Sequence, residues 1–199
     1  EIDTTQYEQV FAGSNSAFGE VWWFYCSSAS NQVDKYVIWN YQENLWYTGS
    51  LDRSTWVDSG TYPLPYATKY DGTNSTLLIH ESGKDDDGST MTSFIESGDF
   101  DIGDGDDILF INKLIPDFKG QVGNVNISLK SRYFPTDTQT TKGPFRYSAS
   151  STKINTRTRG RQVAVRLESN GFNDINNDAT GEDWRLGTIR FEVQPDGKR

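Results

Sequence analysis

The sequence predicts an all-β protein, and three observations carry that expectation. No stretch keeps apolar residues at the i, i+3, i+4, i+7 spacing of an amphipathic helix. As far as Gly83, short β-branched and aromatic segments are broken by Gly, Asn, Asp and Ser. Beyond Ser89 the segments lengthen and alternate, as in Val125-Asn126-Ile127-Ser128-Leu129-Lys130 and Val163-Ala164-Val165-Arg166-Leu167-Glu168. Odd positions there are apolar, the period of a sheet with one buried face.

The elements follow in order. Asp3-Thr4-Thr5-Gln6 opens a short capped turn that runs to Phe11. Gly19 to Cys26 is the first strand, and the polar Ser27–Gln32 stretch turns the chain. Lys35–Tyr41 is the second strand, Gln42-Glu43-Asn44 the next turn, and Leu45–Gly49 the third strand. Ser54–Val57 begins a fourth. Closely spaced strands joined by tight turns form an antiparallel meander. A four-stranded, aromatic-rich meander is the unit of a β-propeller, and "DKYVIWNYQENLWYTGS" looks like a kelch-type blade. A second, weaker blade signal is the hairpin from Pro65 to Gly83, which turns near Asp71-Gly72.

Lys84-Asp85-Asp86-Asp87-Gly88-Ser89 is a charged junction. Six strand candidates follow: 91–100, 108–118, 124–134, 145–158, 162–168 and 184–193. That number in roughly a hundred residues suggests a β-sandwich. The expected organisation is therefore partial β-propeller blades over residues 1–88, followed by an antiparallel β-sandwich over 89–199. The first segment holds at most two blades, whereas a closed propeller needs roughly four to eight. The chain opens Glu1-Ile2-Asp3, without an initiator Met. The expectation is that it is the C-terminal part of a longer polypeptide that supplies the other blades.

Composition narrows the function classes. Nineteen Lys and Arg against 28 Asp and Glu leave a net charge of −9. A DNA-gripping module needs basic phosphate contacts, so none is expected; a wall that DNA slides past remains open. No apolar run approaches the roughly 20 residues of a membrane helix, and no membrane partner is expected. Cys26 is the single cysteine, so no intrachain disulfide forms, and its apolar neighbours mark it as a small buried residue.

No residue is assigned a catalytic, cofactor or metal role. His80, the single histidine, has no G-x-S-x-G elbow before it and reads as a solvated strand residue. The acidic run Asp99–Asp107 departs from the calcium-loop template and reads as a turn between strands. Asp174-Ile175-Asn176-Asn177-Asp178 begins like such a loop but has Ala179 where Gly belongs and Arg185 where Glu belongs. Among 28 acids no carboxylate pair sits in a distinctive motif. Asn74-Ser75-Thr76 and Asn126-Ile127-Ser128 match a glycosylation pattern that is common by chance.

Two residue sets remain. Trp22, Trp23, Tyr25, Tyr36, Trp39, Tyr41, Trp46 and Tyr47 are accounted for by packing between blades, with stacking on sugar rings as the alternative. Arg157, Arg159, Arg161, Arg166, Arg185 and Arg190 form either intersubunit or interdomain ion pairs with the acidic run, or a solvated sheet face.

The segment "EVWWFYCSSASNQVDKYVIWNYQENLWYTG" resembles the last blade region of tail hub, or nozzle, proteins of short-tailed bacteriophages, the DNA stabilisation proteins. "FIESGDFDIGDGDDILFINKLIPD", "TRGRQVAVRLES" and the ending "DWRLGTIRFEVQPDGKR" are similar to the same family, in the same order. The resemblance implies a propeller followed by a sandwich-like domain, with six copies ringing a tail channel. It implies a structural protein of the virion tail rather than an enzyme, with no cofactor. Its partners would be copies of itself and neighbouring adaptor, fibre or needle proteins, and DNA would pass through without specific binding. Acidic side chains of Asp99–Asp107 would then line or rim the lumen. The alternatives are a carbohydrate-binding, host-recognition module and a propeller glycosidase.

Overall fold

A computed structural model describes residues 1–169 and 181–198. It is all-β, and among the described residues the strands form five antiparallel sheets, none of them closed. The chain divides into two compact units, Glu1–Ser82 and Gly83–Arg199. Among the described residues, no helix is long and apolar enough to cross a membrane.

In the amino-terminal unit, a 3-10 turn at Thr4–Gln9 is capped by Asp3, whose carboxylate accepts from the Thr5 amide at 2.8 Å. Four strands then form a meander in the order β1 (Phe11–Asn15), β2 (Glu20–Tyr25), β3 (Lys35–Asn40) and β4 (Leu45–Ser50). This is the four-stranded antiparallel meander that the aromatic runs predict, but one of its strands differs. Phe11, expected to end the opening turn, instead begins the first strand, Phe11–Asn15, and the Ser54–Val57 segment belongs elsewhere. Gly13, Ser14 and Asn15 are poor strand formers, so β1 is hidden from propensity. Pairing with β2 from Phe11↔Phe24 to Asn15↔Glu20 creates it.

A second sheet has the order β5 (Thr55–Val57), β6 (Tyr66–Tyr70) and β7 (Ser75–Ile79). Trp56 of β5 joins it to the first. Its indole lies 5.1 Å from Trp22 and 5.7 Å from Phe24, and its Nε1 donates to the Ser14 carbonyl at 2.7 Å. Gly13 is the residue that lets the indole approach, since a Cβ there would stand 2.3 Å from Trp56 Cδ1. Phe24, Cys26 and Val33 are buried around this junction. The β2–β3 connection is held by Asp34, which accepts from the Ser27 amide and hydroxyl, both at 2.7 Å.

The carboxy-terminal unit is a sandwich. One sheet has the order β10 (Phe94–Glu96), β15 (Gln162–Ser169), β12 (Asn124–Arg132) and β13 (Thr140–Ser148). The other has the order β14 (Ile154–Gly160), β11 (Asp107–Val122) and β16 (Asp183–Lys198). A small hairpin of β8 (Asp85–Asp86) and β9 (Ser89–Thr90) precedes them, so the charged Lys84–Ser89 stretch lies in this unit. Val125, Ile127 and Leu129 from one sheet meet Leu109, Ile111 and Leu114 from the other in a single core. In β11 the buried positions switch from odd to even because a bulge between Ile111 and Lys113 adds a residue.

The segment 145–158, expected as one strand, is two strands in opposite sheets. Small polar residues reverse the chain between them: the Ser151 amide donates to the Ser148 carbonyl at 2.9 Å, and the Ser148 amide to Ser151 Oγ at 3.1 Å. The second of these strands then alternates buried and exposed without interruption, with Ile154, Thr156, Thr158 and Gly160 inward.

Two stability changes follow. Gly13→Ala drives a methyl into Trp56 and lowers stability by about 1–3 kcal/mol, read by a urea titration of tryptophan fluorescence. Ile127→Ala empties a fully buried core position and costs about 2–5 kcal/mol, read by the same titration followed by far-ultraviolet circular dichroism.

Candidate functional site

Register assigns every aromatic residue of the first sheet to a face, because residues opposite one another in an antiparallel pair point the same way. Trp22 and Tyr36 lie on the inner face, 5.0 Å apart, with Phe11 and Phe24. Trp23, Trp39 and Trp46 lie on the outer face. Trp46 stacks 6.0 Å from both Trp23 and Trp39, with interplanar angles of 23° and 20°. Tyr41 closes the row edge-on against Trp39, and Tyr25, at the other end of the same face, is half-buried. Tyr47 points to the inner side but beyond the cover of the second sheet, where it is exposed. Trp46 is 63% exposed, so this indole row ends in solvent. The second sheet likewise turns Val57, Leu77 and Ile79 outward, at 55%, 65% and 51% exposure. The aromatic set was legible in sequence. This aliphatic face was not, because its residues lie apart on two weak strands, β5 and β7.

The acidic run forms a loop, including a 3-10 turn at Gly103–Gly105, between β10 and β11. Phe100 and Ile102 pack on the sandwich core, and Phe100 exchanges backbone hydrogen bonds with Val163 at 2.8 and 3.0 Å. Asp104 takes a left-handed φ of 54°. Asp101, Asp104 and Asp106 are exposed, whereas Asp99 binds Arg132 and accepts from Gln139 at 3.1 Å. Arg161 donates from Nε to the Gly105 carbonyl at 2.6 Å. Of the predicted arginine set, Arg161 thus meets the loop, through a backbone carbonyl and not an ion pair. Arg159 pairs with Asp196 at 2.6 Å and Arg190 with Asp117 at 2.6 Å, while Arg157 and Arg185 are exposed.

Arg166 sits in a network of charged side chains. Its guanidinium lies 4.0 Å over Phe94 and reaches Glu96 and Glu168, both at 2.9 Å, and Glu96 also takes Lys130 at 2.6 Å. The Lys130 ammonium, then the Arg166 guanidinium, hold the Glu96 carboxyl below its ordinary range. A carboxylate depressed in the fold stabilises it above the unfolded value and loses that contribution as pH falls through the folded one.

His80 lies just past β7 and is not a solvated strand residue. Its ring rests 4.7 Å from Trp56, and its Nε2 accepts from Arg53 Nε at 2.8 Å. Arg53 is itself buried, at 4% exposure, and a sequence reading passed it over. It contributes to a cavity of about 290 Å³ with Glu8, Gln9, Gln32, Asp52 and Tyr70. Asp52 is bound by Lys69 at 2.9 Å and Arg53 at 3.4 Å. Cys26 is buried, and burial first, then Asp34 and Asp3, push its thiol up, so it stays protonated. Asn126 and Ser128 are buried within β12, where no glycan fits, whereas Asn74 is exposed. The Asp174–Asp178 segment lies outside the described residues. Among the described residues, no three His, Cys, Asp or Glu side chains gather to hold a metal.

No protein-family model matches the chain, and no curated protein matches it.

The Glu96 network makes the stability of this unit acid-sensitive. Between pH 7 and pH 3 the urea midpoint of Glu96→Gln falls less than that of the wild type, because the variant has no Glu96 carboxylate to neutralise.

Proposed function

We propose that this chain is a structural component of a phage tail hub or nozzle. In this reading, copies of it assemble as a ring, six by the resemblance, around a DNA channel, and the ring serves tail assembly, genome retention and ejection. The observation that carries this reading is the pair of uncovered apolar faces on the two sheets of the amino-terminal unit. Contiguous apolar surface on a protein marks a place of association. The segments resembling tail hub proteins supply the identity of the assembly.

Charge is consistent with a channel role. A net charge of −9 opposes adhesion of DNA. Asp101, Asp104 and Asp106 stand in solvent on a loop fastened from behind by Phe100, Ile102 and Arg161, as a lumen-facing rim requires. Neighbouring adaptor and fibre or needle proteins would then meet other surfaces of the ring.

Trp46 favours a second reading, a carbohydrate-binding module for host recognition, since a solvent-exposed indole stacks on sugar rings. Electron microscopy of the purified protein separates the two. The tail reading expects rings with a central channel. A monomer that binds glycans, with the binding lost in Trp46→Ala, would replace it with the second.

A further inference from the structure

Four stretches of the amino-terminal unit converge on one cavity of about 290 Å³: the end of the opening turn with the start of β1, the β2–β3 connection, the β4–β5 connection and the end of β6. Arg53 is its most buried charged group. A buried guanidinium is costly unless its donors are met. Here Nε donates to His80 and Nη1 to the Asp52 carbonyl, both at 2.8 Å. This wall is therefore fixed before any ligand arrives, which lowers the ordering cost of binding. The rim is different. The Glu8 carboxylate, the Gln32 amide and the Ser54 hydroxyl are exposed and form no side-chain hydrogen bond or ion pair among the described residues.

We infer that this cavity is a binding site for a neutral, hydroxyl-rich ring: a single sugar residue. Three features select that class. First, the charges cancel. Glu8 and Asp52 bring two negative charges, and Arg53 and Lys69, both paired with Asp52, bring two positive ones, so neither an anion nor a cation is favoured. Second, sugar hydroxyls both donate and accept, and a carboxylate, an amide and a hydroxyl around one mouth meet both needs. Phe11 and Tyr70 add aromatic surface for the C–H face of the ring, and the Tyr70 hydroxyl is anchored by donating to the Gly72 carbonyl at 2.8 Å. Third, ligand pockets span roughly 300–1,000 Å³, and this one sits at the small end, with room for one ring and not for a chain of several. The cavity shares no residue with the indole row that ends at Trp46, and it does not depend on assembly into a ring.

Saturation-transfer NMR on the full chain tests this. The probes are glucose, galactose, mannose and N-acetylglucosamine, each free and as its methyl glycoside, with glucuronate and glucosamine as charged comparisons. At least one neutral sugar is expected to bind, with millimolar affinity. Glu8→Ala and Gln32→Ala stand at exposed positions and keep the fold, which circular dichroism checks. Each is expected to weaken binding at least about fivefold, whereas Trp46→Ala leaves it unchanged. Binding of a methyl glycoside assigns the end of a glycan chain, and binding of the free sugar alone assigns a free sugar. Binding that survives both cavity variants overturns the inference; if Trp46→Ala then abolishes it, the sugar sits on the indole row. Tighter binding of glucuronate or glucosamine overturns the neutral class. No binding of any neutral sugar overturns the site, and the ring reading stands or falls separately, on electron microscopy.

Discussion

A sheet of three or four strands does not stand alone in water; it must lay an apolar face on something else. With one cysteine and so no disulfide to help, this chain meets that demand by packing alone. In the carboxy-terminal unit the demand is met fully, because each sheet of the sandwich covers the other over one core. In the amino-terminal unit it is met on one side only. Trp56 crosses Gly13 and joins the two sheets by their inner faces. The outer faces carry Trp23, Trp39 and Trp46 on one side and Val57, Leu77 and Ile79 on the other with no cover within the unit, and the functional reading grows from that imbalance.

The charged groups do a different job. Of the arginines in the carboxy-terminal third, Arg159, Arg161, Arg166 and Arg190 are each held by a partner. Arg132 and Arg161 fasten the acidic loop to the sandwich, and Arg166 gathers Glu96 and Glu168 over the ring of Phe94. These contacts are partly exposed, so each adds little to stability. Their effect is positional: they fix which carboxylates are tied down and which are left to solvent. Asp58 serves similarly between the sheets of the first unit. Burial raises its pKa, but hydroxyls from Ser16 and Ser14, with the Ser16 and Ser59 amides, outweigh that and keep it ionised.

Much of the fold was legible. The runs at 20–25, 35–40 and 45–50 announced themselves by aromatic and β-branched residues, and β12 and β15 by strict alternation. The misreadings share a cause. β1 was invisible because Gly13 and its neighbours form a strand only when β2 offers a partner. The segment 145–158 looked continuous because a reversal by Ser148 and Ser151 leaves no Gly or Pro to mark it. His80 was misjudged because Arg53 and Trp56, its two contacts, are distant in sequence.

By itself the sequence determined the class of this protein: its strand periodicity, its single thiol, its acidic balance and the concentration of aromatic residues before Gly49. These are local or summed properties, and local rules suffice to read them. Only the tertiary structure decided which aromatic residues are interior and which face out. Trp22 and Trp23 are adjacent in the chain, yet one packs on Trp56 and the other on Trp46. In a strand, neighbouring side chains point to opposite faces, and which face is covered depends on a sheet that the chain forms thirty residues later.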